Sequence, residues 1–189
     1  MYEKTEIAGC FTFKQAPIFD NRGYFLKTYS EPKGSNFPEP WLTKETVKEI
    51  FWSKSLKSVA RGMHLQLPPC SMSKFVSCID GWITDYVLDL RIDQPSYGMC
   101  LKLNLGEHEG AYSGVTIPHG CAHGFVTNSE SAMVLYLQSG PYCKEHDGGV
   151  NMTQFLSSEH TDVIFSDRDQ SLPELGSFIS FRTAQWGLS

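Results

Sequence analysis

The stretch Trp82-Ile83-Thr84-Asp85-Tyr86-Val87-Leu88-Asp89-Leu90-Arg91 sets Trp82, Thr84, Tyr86, Leu88 and Leu90 against Ile83, Asp85, Val87, Asp89 and Arg91. Successive side chains of a strand point to opposite faces, so this period of two predicts a β-strand with one buried face. The pattern returns at Met99, Leu101, Leu103 and Leu105 against Cys100, Lys102 and Asn104. Residues 24–29, 74–79 and 132–138 add further candidates, rich in aromatic and β-branched side chains and bounded by Gly, Pro, Ser or Asn. Many short strands at near-regular spacing predict an all-β fold, a sandwich or barrel of the jelly-roll type.

Between the strands, residues 31–43 carry Pro32, Gly34, Ser35, Asn36, Pro38 and Pro40 and read as a surface loop, with a short helix expected at residues 44–50. Asp93 to Gly98 and Gly106 to Gly110 read as turns. No internal repeat is visible, and the 189 residues are read as one domain spanning 1–189. With 41% hydrophobic and 20% charged residues the composition is that of a globular protein, and a net charge of -5 offers no basic stripe for nucleic acid. No apolar stretch approaches the ~20 residues of a membrane span, and the opening MYEKTEIAG lacks a secretory core, so no membrane partner is expected and the cytoplasm is the expected location. The six cysteines, Cys10, Cys70, Cys78, Cys100, Cys121 and Cys143, are scattered without a CxxC pair; they read as free, mostly buried thiols, indicating neither zinc nor a reactive cysteine.

The segment RGMHLQLPP, Arg61 to Pro69, places His64 near Arg61 and ten residues before Lys74. An imidazole with a reference pKa of ~6.5 can serve as a free base near neutral pH, and the two cations supply positive charge where an oxyanion would form. Lys74 alone reads as a solvated charge, although Phe75 and Val76 flank it with apolar residues. Arg61 and His64 are an odd number apart, so on a regular strand they face opposite sides unless Gly62 marks a bulge or bend. In PHGCAHGF, Pro118 to Phe125, His119 and His123 are four apart; Gly120 and Gly124 disfavour a helix, and both histidines fall on one strand face. His123 has the better claim to a site, and a metal is not expected, since RGMHLQ brings a single histidine. Tyr136 would be a general acid if it projects into a cavity opposite His64. Asp169, in FSDRD, would orient and polarise a histidine in a dyad.

Taken jointly and in order, FDNRGYF (19–25), RGMHLQLPP, SKFV (73–76), VLDLRIDQPSYG (87–98), IPHGCAHGF (117–125), VLYLQSGPY (134–142) and FSDRD (165–169) resemble the dTDP-4-dehydrorhamnose 3,5-epimerase family. That resemblance covers most of the chain. It implies a cupin-like jelly-roll barrel with a few short peripheral helices, a homodimer, a nucleotide-sugar substrate and no cofactor. It also implies roles: His64 as base with Asp169, Lys74 holding the enolate, and Tyr136 returning a proton from the other face. Arg22 and Arg61 would hold the diphosphate, His123 would touch the sugar, and Tyr142, Asp147 and Arg168 would line the substrate site.

The chain departs from the family pattern at several positions. Lys27 stands where an acidic residue is usual, Glu49 and Phe51 where amide side chains are, and Asp147 replaces a Glu; the customary Trp-Asn/Asp-Asp-Pro segment is absent from NMTQFLSSEH. These changes spare the proton chemistry and fall on the substrate side. The expected reaction is epimerisation of a nucleotide-linked 4-keto-6-deoxy sugar, with inversion at both C3 and C5 favoured by Tyr136. The alternatives are a C3-only or C5-only epimerase on another nucleotide sugar, a 3,4-ketoisomerase, disfavoured by Gln66 where a second histidine would stand, and a non-catalytic carbohydrate-binding cupin.

Overall fold

The computed structural model describes residues 2–28 and 47–178. Its strands are β1 (Tyr2–Lys4), β2 (Phe11–Phe13), β3 (Ile18–Asp20), β4 (Gly23–Phe25), β5 (Glu49–Leu56), β6 (Ala60–Gln66), β7 (Lys74–Asp80), β8 (Trp82–Asp89), β9 (Cys100–Gly106), β10 (Gly114–Ile117), β11 (Cys121–Thr127), β12 (Ser131–Gln138) and β13 (Asp147–Gly149). One sheet runs β1-β2-β10-β7-β12-β5 and a second β13-β6-β11-β8-β9, while β3 and β4 form a separate ribbon. The fold is an all-β, cupin-like jelly roll. Short helical pieces lie around it: 3-10 turns at Lys144–His146 and Met152–Phe155, and the one-turn helix α1 (Asp167–Gln170).

The interior between the sheets is filled by Val76, Cys78, Ile83, Val87, Leu105, Val115, Ile117, Phe125 and Val134, each at most 3% exposed. Each such side chain contributes about 1.5–3 kcal/mol by leaving water. The strand that reads most clearly from sequence, β8, differs from its one-faced prediction: both faces are buried. Ile83 and Val87 point into the interior, while Tyr86 and Leu88 pack outward against Met63, Val150, Met152 and Phe178. The segment following the barrel covers that outer face, which is why the alternation carries apolar residues at both phases. β9 has one face inward as expected, with Leu105 buried and Leu101 and Leu103 packed beside it.

Asp89 and Arg91 serve the architecture. The fully buried Asp89 accepts hydrogen bonds from Arg91 Nε (2.8 Å), Arg91 Nη2 (2.7 Å) and Ser96 Oγ (2.7 Å), tying the predicted turn at Asp93 to Gly98 onto the end of β8. Two expectations fail. The helix expected at residues 44–50 ends, where described, in strand β5, which pairs over its whole length with β12 from Glu49↔Gln138 to Leu56↔Ser131; the alternation Phe51, Ser53, Ser55 against Ile50, Trp52, Leu56 fits that pairing better than a helix does. Of the strand expected at residues 24–29, only Tyr24 and Phe25, the end of the exposed β3–β4 ribbon, are strand among the described residues, and residue 29 lies outside them. The predicted loop at residues 31–43 lies outside the described residues.

Candidate active site

The site begins with an irregularity in β6. His64 pairs with His123 of β11, yet Arg61 pairs with Phe125, so three steps along β6 match two along β11. Gly62 makes this bulge possible. Its φ is +119°, and a Cβ there would lie 2.5 Å from Gly124 Cα and 2.6 Å from the His123 carbonyl oxygen. Both contacts are with backbone, so no side chain can be accommodated. The extra residue turns the odd spacing into a shared face, and Arg61 and His64 line the same cavity of about 300 Å3 between the sheets.

His64 Nε2 lies 2.6 Å from Oδ1 of Asp169, whose carboxylate comes from α1, 105 residues away in sequence and 4% exposed. Ser166 caps α1 by accepting from the Asp169 N–H (3.2 Å), and the Gly62 N–H donates to Asp169 Oδ2 (3.3 Å), so the bulge and the helix fix the carboxylate between them. Burial pushes the His64 pKa below its ordinary value against the opposing pull of Asp169. Burial works against Asp169 ionisation too, but His64, the Gly62 N–H and Arg168 hold its carboxyl below the usual range. At neutral pH the pair is therefore a neutral imidazole on an ionised carboxylate. The carboxylate can only accept, so Nε2 carries the hydrogen and Nδ1 keeps its lone pair.

The opposite sheet supplies the facing wall. Lys74, the first residue of β7, is 9% exposed rather than solvated, and its Nζ donates to the His64 carbonyl oxygen at 3.4 Å. Burial lowers its pKa to about 8, with Asp147 opposing and Arg168 reinforcing the shift. Tyr136 of β12 is 8% exposed, stacks on Phe51 of β5 (centroids 4.7 Å apart, 12° between planes) and meets the edge of His123 at 6.2 Å. Its phenol is pushed well above its usual range by burial, so it is held protonated. His64 and Tyr136 thus line one cavity from opposing sheets.

The remaining predicted residues divide. His123 lines the cavity, with Nε2 2.6 Å from Oδ2 of the fully buried Asp85. Asp85 was legible in the sequence only as one position of an alternating strand; the signal that marks it, an acidic residue of β8 registered with Phe125, two positions along β11 from His123 and so on the same face, needs the strand pairing. Arg61 is held by Ser55 Oγ, which accepts from Nε at 2.9 Å. At the rim, Asp147 accepts from Gln66 Nε2 (3.2 Å) and the Tyr142 hydroxyl (3.2 Å) and pairs with Arg168. Nine of the ten candidate residues, Arg61, His64, Lys74, His123, Tyr136, Tyr142, Asp147, Arg168 and Asp169, thus line the one cavity. Arg22 does not: it sits on the β3–β4 turn, ion-paired with Asp20 at 2.6 Å and 85% exposed. His119 does not share the His123 face either, because it lies on the turn before β11 with its N–H donating to Ser73 Oγ.

A free imidazole lone pair, an ammonium ion and a protonated phenol across a narrow pocket can move a proton off carbon, hold the resulting oxyanion and return a proton from the other side. Among the described residues, the trio of ligand-type side chains Cys70, Cys143 and His146 converges within 4.8 Å, and it lies outside this cavity's wall.

Residues 4–177 match the family described as dTDP-4-dehydrorhamnose 3,5-epimerase. The chain is 33% identical over 147 residues to the dTDP-4-dehydrorhamnose 3,5-epimerase of Salmonella typhimurium, covering 78% of each protein. It is 32% identical to a dTDP-4-dehydrorhamnose 3-epimerase of Streptomyces niveus, covering 70% of this chain and 61% of that protein. Among solved structures, dTDP-4-dehydrorhamnose 3,5-epimerase from Elizabethkingia anophelis superposes with a TM-score of 0.77 at 31% identity, covering 94% of this chain and 97% of that one.

Proposed function

Since the chain belongs to the dTDP-4-dehydrorhamnose 3,5-epimerase family and is a sugar-nucleotide epimerase, we propose that it converts dTDP-4-dehydro-6-deoxyglucose to dTDP-4-dehydrorhamnose by inverting C3 and C5 through enolate intermediates. The observation that carries this reading is the buried His64–Asp169 pair sharing one cavity with Lys74 and Tyr136. The C4 ketone acidifies the hydrogens on C3 and C5. His64 removes one through Nδ1, and Asp169 stabilises the imidazolium that forms. Lys74 neutralises the charge that develops on O4, the interaction that strengthens most on approach to the transition state. Tyr136 delivers a proton from the opposite wall, and the carbon is inverted.

Arg61, Arg168 and Tyr142 lie where a diphosphate and nucleoside would leave the pocket. Asp147 takes three donors and so positions Gln66, Tyr142 and Arg168. The chain acts as a homodimer: the outward face of edge strand β5 exposes Ile50, Trp52 and Leu56 at 62–67%, and the β3–β4 ribbon exposes Ile18, Phe19 and Phe25 at 62–71%. In that dimer Arg22 reaches the diphosphate in the partner's cavity, which accounts for its distance from its own.

Inversion at C3 alone is the second reading, favoured by the likeness to a relative named for that reaction. Proton NMR of the product from dTDP-4-dehydro-6-deoxyglucose separates the two: new ring couplings at both C3 and C5 support double inversion, a change at C3 only supports the second reading, and an unchanged substrate contradicts both.

A further inference from the structure

Cys70 is 73 residues before Cys143 in sequence, but the Sγ atoms of Cys70 and Cys143 and an imidazole nitrogen of His146 lie within 4.8 Å of one another, with all three residues partly exposed. Two of them share one 3-10 turn. The His146 N–H donates to the Cys143 carbonyl oxygen (3.2 Å), and a 3-10 turn brings the side chains at i and i+3 into line. The third comes from the turn after β6, where the Cys70 N–H closes on the Leu67 carbonyl oxygen (2.9 Å) across Pro68 and Pro69.

The two turns are tied together at the backbone. The Leu67 N–H donates to the His146 carbonyl oxygen (2.7 Å), and the Cys143 N–H donates to Gln66 Oε1 (2.9 Å). The donors are thus presented by two short segments already fixed to each other, which lowers the ordering cost of binding. A carboxylate stands alongside: Glu145 Oε2 lies 3.8 Å from Cys143 Sγ.

We propose that Cys70, Cys143 and His146 form a binding site for a borderline-soft divalent cation of the Zn2+ class, at the rim of the cavity and separate from the proton-transfer residues. Two thiolates and an imidazole are a donor set that Zn2+ takes readily, with Glu145 or water in the fourth position. Tetrahedral bond lengths set donor separations at about 3.5–3.8 Å, so side-chain rotations of roughly 1 Å close the site. Binding releases the thiol protons to solvent and needs no oxidant. The cation fixes the turn that carries Tyr142 on one side and Asp147 on the other, and so stiffens the part of the rim where those two residues meet Arg168.

The test uses the reduced full-length chain, with all six thiols first counted by a thiol reagent. Titration with Co2+ should give one equivalent with tetrahedral visible bands and a thiolate-to-metal charge-transfer band, both displaced by Zn2+. Cys70→Ser and Cys143→Ser should each abolish the charge-transfer spectrum at one equivalent, or weaken binding on the order of 100-fold, and His146→Ala should weaken it by at least about tenfold, whereas Cys100→Ser should leave it intact. Absence of binding by the reduced wild type, or unchanged binding in both Cys70→Ser and Cys143→Ser, overturns the proposal. Because the readout is metal binding, its failure is distinct from failure of the epimerase reading.

Discussion

His64 owes its readiness as a base to two opposed effects of its surroundings. Burial favours the neutral ring and lowers its pKa, while Asp169 holds the ring in the tautomer that leaves Nδ1 free. Lys74 faces the opposite requirement, since it must stay charged although burial brings its pKa down to about 8. The active form has His64 unprotonated and Lys74 protonated, so kcat/KM should rise through a pKa below the ordinary histidine value of 6.5 and fall again near pH 8. Lys74→Arg, where the replacement keeps any turnover, should remove the alkaline limb because guanidinium does not titrate there. Lys74→Ala should lower kcat by about 10^2- to 10^3-fold with a much smaller change in KM, as expected for a charge that meets the oxyanion mainly in the transition state. A wild-type profile flat from pH 5 to 9 would contradict these assignments.

Among the elements, the β6 bulge decides whether the site exists. Local alternation in RGMHLQ would put Arg61 and His64 on opposite faces, and only the pairing with β11 shows three residues matched by two. Gly62→Ala places a methyl group against immovable backbone at a positive φ, so it should destabilise the fold by about 3 kcal/mol and displace the Gly62 N–H from Asp169. Urea unfolding and turnover measured together check this, with near-wild-type values in both arguing that the bulge is unimportant. Element by element, β7, β8, β9 and β12 were legible because alternation and β-branched content are local properties. β5 was not, because residues 44–50 read as a short helix after the loop, and what makes Glu49 and Ile50 strand is their pairing with β12, which is not a local property. The second buried face of β8 was hidden too, since Val150, Met152 and Phe178, which cover it together with Met63, come from beyond residue 149.

At the scale of the whole molecule, the site is a product of topology: His64 and Asp169 are 105 residues apart, and the walls bearing His64 and Tyr136 belong to different sheets. Sequence spacing could nominate these side chains but could not bring them together; the ordered resemblance to a family did that. Asp85 escaped notice because its partner His123 lies on another strand, and the Cys70–Cys143–His146 group because Cys70 is 73 residues before Cys143 and a single Cys and His three apart carry little signal. The exposed apolar face of β5 belongs to this scale as well. Trp52→Glu should shift the chain from dimer to monomer in light scattering while leaving the circular dichroism of the barrel unchanged; a wild-type chain that is already monomeric would contradict the proposed dimer.

The central claim is that His64 takes the proton and Tyr136 returns it from the other wall. Incubation with dTDP-4-dehydro-6-deoxyglucose in D2O, followed by proton NMR, tests it most directly. The wild type should introduce deuterium at both C3 and C5. His64→Ala should introduce none, while Tyr136→Phe should still exchange to some extent but fail to invert. Full deuterium exchange by His64→Ala would contradict the account.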